Sequence, residues 1–149
     1  MSHTAVLKAI DILSETALVR TLDALIEQGL KANVTSNQTP RLWYQDQKDN
    51  KVCEYVLNMQ NNKMDVGFFK ENDRFNILAD TMFQDSFLEA KTKYTGANDN
   101  DKLIHRLDKF LREYAKQATL EQAEKDGYEV ESITENEEGE LVLLLNVQG

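Results

Sequence analysis

The sequence predicts an α+β protein in which an antiparallel sheet, a meander plus a C-terminal hairpin, carries two main helices on one face. Two observations predict this class. Apolar residues recur at helical spacing over two stretches, and elsewhere they alternate or cluster between turn signals. The order strand, helix, meander, long helix and hairpin favours helices gathered on one face of the sheet. We find no internal repeat or linker, so we expect a single domain over residues 1–149.

The N-terminal part predicts a strand, a helix and a loop. AVLKAI has strand character, and Ser14 stands in the position of a helix N-cap. Apolar residues then recur at helical spacing, and Gly29 follows in the position of a left-handed C-terminal cap. We therefore expect a helix over residues 15–28, followed by a polar loop, TSNQTP, that ends at Pro40.

Four segments after Pro40 predict a meander of antiparallel strands. Their sequences are RLWYQDQ, VCEYVLNM, MDVGFF and RFNILAD. The last two alternate so that Met64, Val66 and Phe68 share a face with apolar residues of the returning strand. Glu71-Asn72-Asp73 between them is turn chemistry, so these two segments predict a hairpin.

The next stretch predicts helical structure. Phe83, Phe87 and Ala90 fit one face of a helix within TMFQDSFLEAKTKY. From about Asp101 a longer apolar stripe predicts one long helix that ends at Gly127.

The chain closes with a predicted hairpin, YEVESIT and ELVLLLNV joined by the turn ENEEG. Leu141, Leu143 and Leu145 form one face of the last strand, while Val142 and Leu144 make the other face apolar too. A strand that is apolar on both faces is typical of a central or doubly covered position, which is what we expect here.

Three stretches of this chain resemble a known family. They are MSH with the strand and helix that follow, DVGFFKENDRFNILAD, and YAKQATLEQAEKDGYEVES with GELVLLL. Together they resemble the small uncharacterised family that includes the chloroplast hypothetical reading frame thirty-five. The resemblance implies relatives in plastids, cyanobacteria and bacteriophages, and it implies no reaction or catalytic residue. Residues 82–101 are longer than the family pattern.

Charge is concentrated near the C-terminus. The net charge is −9, and after residue 120 nine acidic residues face one lysine, Lys125. Direct nucleic-acid binding needs a basic face, and none is concentrated here. A basic protein surface is the better electrostatic partner.

Three further features of the sequence bear on the cellular compartment of the protein. The chain has no apolar run long enough to span a membrane and no signal-peptide pattern at its start. Its single cysteine, Cys53, allows no internal disulfide. We expect a soluble, cytoplasmic protein with no membrane partner.

Carboxylates are the first candidates for chemistry. Asp65, Asp73 and Asp80 could run acid–base chemistry if their environments separated their pKa values, but their positions favour roles in closing the hairpin. The run Asn98–Asp101 lacks the glycine and glutamate of a calcium loop, so helix capping is the favoured interpretation.

The other reactive residue types are few. His3 and His105 are the only histidines, and we expect His105 to pair with Asp101 or Asp108. Cys53 is expected to be a buried thiol, so zinc and thiol chemistry are disfavoured and no cofactor or metal is expected. A stacking platform for bases is a less favoured interpretation of the strand aromatics, Trp43, Tyr44, Tyr55, Phe68 and Phe69.

The leading hypothesis is a non-enzymatic protein-interaction module of unknown pathway that binds a basic protein. It could act as an adaptor or, in a virus of bacteria, as an inhibitor of a host factor. The candidate partner-binding residues are Glu135, Glu137, Glu138, Glu140, Phe83 and Phe87. The alternative is a small-ligand or nucleotide-binding domain with its pocket between sheet and long helix, and an unfamiliar enzyme ranks third. An uncovered sheet face would favour a homodimer.

Overall fold

The computed structural model describes residues 4–42, 50–60, 63–96, 98–138 and 140–147, except for the side chains of residues 4–10 and 147. Within them the chain forms two antiparallel sheets and three helices, so the predicted α+β class is confirmed. The elements in chain order are β1 (Thr4–Ile12), α1 (Glu15–Glu27), β2 (Ala32–Gln38), β3 (Cys53–Met59), β4 (Val66–Glu71), β5 (Arg74–Asp80), α2 (Asp99–Arg106), α3 (Asp108–Lys125), β6 (Tyr128–Glu135) and β7 (Leu141–Val147).

The larger sheet has the strand order β1-β5-β4-β3-β2, and every neighbouring pair is antiparallel. The meander runs from β2 to β5. The N-terminal strand β1 pairs with β5, with Thr4 opposite Asp80. The prediction of a polar loop before Pro40 was wrong, because residues 32–38 form β2. Their polar side chains suit this edge position, where one face stays in water.

The strand predicted over RLWYQDQ is not the first strand of the meander. Arg41 and Leu42 lie outside any strand, and residues 43–49 lie outside the described residues. The predicted β4–β5 hairpin is confirmed. Its two-residue turn places Asn72 at φ 54° and Asp73 at φ 63°, as a type I′ turn requires.

The main core lies between the larger sheet and the helices. Phe68 of β4 and Phe110 of α3 pack with their ring centroids 5.1 Å apart. Helix α1 begins as predicted, because the Ser14 hydroxyl accepts a hydrogen bond from the Ala17 amide at 3.0 Å. It is followed by Gly29 at φ 121°, a backbone conformation that favours glycine.

Helix α3 holds the start of α1 in place. The Tyr114 hydroxyl accepts hydrogen bonds from the Leu13 and Ser14 amides at 3.1 and 3.2 Å. The Ser14 hydroxyl donates to the Glu121 carboxylate, whose oxygens lie 2.8 and 2.9 Å away. This hydrogen bond, together with Lys125, lowers the pKa of Glu121 against the opposing effect of burial.

The opposite face of the larger sheet is also covered. Cys53, Val56, Phe69 and Leu78 form a second buried cluster there. Gly67 lies in its midst, and a Cβ at this position would come within 2.6 Å of the Cys53 sulfur. The sheet centre is therefore packed on both sides, and a side chain larger than hydrogen does not fit at Gly67.

The single long helix predicted after Asp101 is two helices. Asn98, the first residue of the run predicted to cap a helix, caps α2 by accepting from the amides of Asn100 and Asp101. The helical path breaks at Leu107, with φ −115° and ψ 19°. Leu107 is buried, so the break between the two helices lies within the core.

The helix predicted from Phe83 to Ala90 was also wrong, since residues 81–96 contain only turns and irregular structure. The Leu88 and Glu89 amides donate to the Asp85 carbonyl within the segment, and other backbone groups bond to the following helices. Arg106 donates to the Phe83 carbonyl at 2.8 Å, and the Ala90 amide donates to the His105 carbonyl at 2.9 Å. The segment is thus fastened along α2.

The predicted C-terminal hairpin is confirmed, but its environment was predicted wrongly. Strands β6 and β7 form a separate two-stranded sheet beside α3. Strand β7 is neither central nor covered on both sides, because Leu144 is 55% exposed and Val142 is 49% exposed.

Candidate functional site

The C-terminal hairpin differs from the rest of the molecule in charge. Between residues 128 and 147 the chain has six glutamates and no lysine or arginine. They are Glu129, Glu131, Glu135, Glu137, Glu138 and Glu140. This hairpin therefore carries much of the net charge of −9 on a small protruding sheet.

The acidic turn of the hairpin is built around Asn136. Its side-chain oxygen accepts hydrogen bonds from the amides of Glu138 and Glu140 at 3.0 and 2.8 Å. The backbone amide of Asn136 donates to the Glu140 carbonyl at 2.9 Å. This side-chain-to-backbone closure is typical of asparagine in turns, and it holds the acidic side chains on one short arc.

The Glu140 carboxyl lies close to other polar side chains of the turn. Hydrogen bonding with Glu138 and then with Asn136 lowers the pKa of the Glu140 carboxyl. Glu137, Glu138 and Glu140 are all exposed. We call these three residues the acidic tip.

Glu135 belongs to a different environment from the acidic tip. Arg112 of α3 lies 2.7 Å from the Glu135 carboxylate and 2.9 Å from that of Asp108. Glu135 is therefore already paired within the chain and fastens the end of β6 to the helix.

The hairpin has two faces of different character. On the face toward α3, Ile133 pairs with Leu143, and both are partly buried. On the outward face, Val142 and Leu144 stand opposite Thr134 and Ser132. The outward face thus combines exposed apolar and hydroxyl side chains next to the acidic tip.

A cleft of about 430 Å³ lies where the base of the acidic turn meets α3. Three of its lining residues are cations, Lys109, Arg112 and Lys116. Glu113 on its wall is buried and accepts hydrogen bonds from Gln28 and Gln117 at 2.8 and 2.9 Å. The cleft therefore has a basic rim and a satisfied carboxylate in its wall.

The two phenylalanines chosen from the sequence have different positions. Phe83 is fully buried in the main core, with 0% exposure. Phe87 is partly buried, and the Lys109 ammonium lies 3.6 Å from its ring centroid. Lys109 also lines the cleft beside Glu135. Phe83 does not reach the surface.

Asp65 has a structural set of contacts. Its carboxylate, 1% exposed, accepts from the Arg41 amide at 2.8 Å and from the Arg41 guanidinium at 2.8 and 3.0 Å. It also accepts from the Met59 amide at 3.0 Å. Asp65 therefore joins the loop at Arg41 to the end of β3.

Asp80 and Asp73 also serve the backbone. Asp80 is buried at the end of β5, and its Oδ1 accepts from the Met82 amide at 2.8 Å. Its Oδ2 is also buried, and no group of the described residues forms a hydrogen bond with it. Asp73 occupies the turn, apart from the other two. The contacts of these aspartates are those of turn and loop closure.

Cys53 and His105 lie in different surroundings. Burial, followed by the nearby Glu54, raises the pKa of the Cys53 thiol to about 11, so it stays protonated at neutral pH. The His105 ring contacts Glu89 at 3.4 Å and the Thr92 carbonyl. The expected pairing with Asp101 or Asp108 was wrong because residues 81–96 fold back over α2.

The other candidate site residues are buried or lie outside the described residues. Phe68 and Phe69 are buried in opposite faces of the sheet, so they form no exposed stacking platform. Trp43, Tyr44 and His3 lie outside the described residues. In the ranges that the structure describes, no group of three or more metal-ligating side chains could hold a metal ion. No helix of these ranges is long and apolar enough to cross a membrane.

Fold and site together define a small α+β protein whose two-stranded hairpin carries a concentrated negative charge. The chain belongs to the family described as "Protein of unknown function (DUF1257)", whose model matches residues 24–144. The match includes the larger part of both sheets and all of the acidic tip. No curated protein and no solved structure matches the chain.

The sequence predicted the acidic residues of the site but not the residues that pair with them or build the turn. Arg112, Lys109 and Asn136 were not singled out. An asparagine directly before an acidic turn is a recognisable turn signal, so Asn136 could have been found. The pairing of Arg112 with Glu135 requires the packing of the hairpin on α3.

Proposed function

We propose that this protein is a non-enzymatic protein-interaction module whose acidic tip binds a basic surface of a partner protein. The observation that carries the proposal is the separation of charges on the hairpin. Glu135 is neutralised by Arg112, whereas Glu137, Glu138 and Glu140 are exposed on an arc built by Asn136. The acidic tip therefore offers complementary charge without first breaking the Arg112 ion pair.

The physical role of the acidic tip is to steer and orient a partner. Rim charges act mainly on the association rate and on the choice of partner, and their effect is screened over about 8–10 Å at physiological salt. Binding should therefore weaken as salt concentration rises. Nucleic acid is disfavoured as a direct partner because its phosphates carry the same sign of charge.

The role of this interaction in the cell depends on the organism that makes the protein. We propose a cytoplasmic adaptor or, if the protein comes from a virus of bacteria, an inhibitor that covers a basic site on a host factor. The expected relatives in plastids, cyanobacteria and bacteriophages are part of the same proposal.

The test is affinity capture from the native host with a charge-reversed bait. In Glu137→Lys/Glu138→Lys, recovery of the partner should fall by about tenfold or more, since opposite charges become like charges. The matched control is Asp23→Lys/Glu27→Lys on the exposed face of α1, which changes the net charge equally. Equal recovery with both baits would contradict docking through the acidic tip.

A second candidate function is supported by the cleft of about 430 Å³ with its basic rim. Lys109 and Lys116 would bind the phosphate groups of a nucleotide or another small anion, with Leu141 contacting an apolar part, while Arg112 stays paired with Glu135. A ligand that binds only the folded state raises the melting temperature. Thermal-shift screening against nucleotides should then give a shift that Lys116→Ala reduces, and no shift at millimolar concentrations would count against this candidate.

A further inference from the structure

Strand β7 has one hydrogen-bonding edge that no other described strand occupies. Among the described residues it pairs only with β6. Strand β6 in turn contacts α3. Within the described part of the chain, no strand pairs with the amide and carbonyl groups on the other edge of Leu141–Val147. Such an edge is a ready template for another strand.

The usual protections of an edge strand are missing from β7. Its sequence, LVLLLNV, contains no charged residue and no proline. The irregularity in the hairpin register falls between Val130 and Ser132 of β6, not in β7. By contrast, the edge strand β2 of the larger sheet is mostly polar and has Asn37 at φ 55°, which interrupts a regular edge.

We infer that a second copy of this chain pairs with β7 along this edge, antiparallel and centred on Leu143. This register places residues 141–145 of one strand opposite the same residues of the other in reverse order. Five consecutive apolar positions therefore meet apolar positions. The outward face gains two contacts between Val142 and the partner's Leu144. The inward face gains contacts of Leu143 with its own copy and of Leu141 with the partner's Leu145, which is 38% exposed in the single chain.

The distribution of charge leaves this edge open to a second copy, because β7 itself carries no charged residue. The hairpin's glutamates lie on β6 and in the turn, and Glu140 would stand opposite an uncharged asparagine, the partner's Asn146. Seven residues of antiparallel strand separate the two acidic tips by about 20 Å or more. That distance exceeds the screening length of about 8–10 Å at physiological salt, so the like charges repel only weakly.

The resulting dimer is a four-stranded sheet with β6 at each outer edge. One strand pair buries less surface than a stable obligate interface, so we expect reversible association with a dissociation constant of about 1–100 μM. The two acidic tips stay exposed at opposite ends of the sheet. The dimer is therefore independent of the acidic docking proposed above.

The first experiment is sedimentation velocity over a concentration series. The wild-type chain should pass from monomer to dimer, and Leu144→Lys should weaken the dimer about tenfold or more, because it places a charge within the apolar edge. Val52→Lys is the matched control, since Val52 is 59% exposed outside the hairpin. Circular dichroism checks that both variants remain folded.

The second experiment tests the register. At the two-fold axis, residue 143 faces its own copy within disulfide range, so Leu143→Cys should form an intermolecular disulfide under mild oxidation. The wild-type chain is the control, because its only thiol, Cys53, is buried.

A monomer at every concentration, or a dimer that Leu144→Lys leaves intact, overturns the inference. A monomer whose Leu144→Lys variant loses a captured basic partner also overturns it and assigns the edge to that partner. A Glu137→Lys/Glu138→Lys bait that still dimerises but loses its partner separates the two proposals.

Discussion

Strands β4 and β7 share a run of apolar residues and lie in opposite environments. Both carry apolar residues on both faces, with Phe68 and Phe69 in β4 and Leu143 and Leu144 in β7. Strand β4 lies in the centre of the larger sheet, with the main core on one face and the Cys53 cluster on the other. Strand β7 has one neighbouring strand and leaves Leu144 in solvent. A doubly apolar strand therefore indicates that both faces need cover, and the cover can come from the same chain or from another.

The largest expected effect distinguishes these two strands by truncation. Phe68→Ala should lower the free energy of unfolding by about 3–5 kcal/mol, because it removes a buried ring packed on Phe110 and leaves a cavity. Leu144→Ala should change it by no more than about 0.5 kcal/mol. Urea denaturation at low protein concentration measures both, and similar losses would erase the contrast between the strands.

The next effect concerns the polar closure of the larger sheet. Asp65→Ala should cost about 2–3 kcal/mol, since it leaves the buried Met59 amide and the Arg41 guanidinium without their acceptor. Asp23→Ala on the exposed face of α1 is the control and should be close to neutral. A loss no larger than that of the control would show that Asp65 does not secure the loop at Arg41.

A smaller effect should depend on pH and come from the packing of α3 on α1. The folded state lowers the pKa of Glu121 below its usual 4.5, chiefly through the Ser14 hydroxyl. Its stabilisation is therefore complete above pH 4.5 and is lost as the pH falls through the lower folded-state value. Glu121→Gln should cost about 1 kcal/mol at pH 7, and the difference from wild type should shrink under acid.

Unfolding free energies of both chains, measured stepwise from neutral to acidic pH, test this sign. In a Ser14→Ala background the main cause of the pKa shift is removed, so Glu121→Gln should then have a weaker pH dependence. A difference that grows toward acid would contradict the assignment.

The smallest expected effect lies at the junction of hairpin and body. Arg112→Ala removes an exposed ion pair with Glu135, which is worth about 0.2–1 kcal/mol. Hydrogen exchange of the β6 amides should become a few-fold faster, while exchange in β4 stays unchanged. Equal acceleration in both strands would mean that the hairpin opens only with the whole fold.

Local signals in the sequence predicted much of the fold. The Asn72-Asp73 turn, the Ser14 cap and Gly29 act through neighbouring backbone groups, so they can be recognised from a short window. The helix predicted at residues 81–94 failed for the opposite reason. Its apolar spacing was helical, but its backbone bonds to Arg106 and His105 come from a later part of the chain.

The candidate site divides in the same way. Composition alone identified Glu137, Glu138 and Glu140, because charge of one sign accumulates within a few residues. The sequence could not show that Arg112 neutralises Glu135 or that the core encloses Phe83, since both depend on contacts between distant segments.

By itself, the sequence determined the α+β class, the hairpin turns and the acidic C-terminus, because propensity, periodicity and charge are properties of residues close together in the chain. Tertiary structure alone decided that residues 32–38 form an edge strand, that the long helix breaks at Leu107 and that β7 stands apart with an open edge. Those outcomes depend on which surfaces compete for the same apolar cover, and that competition is settled only when the whole chain is packed together.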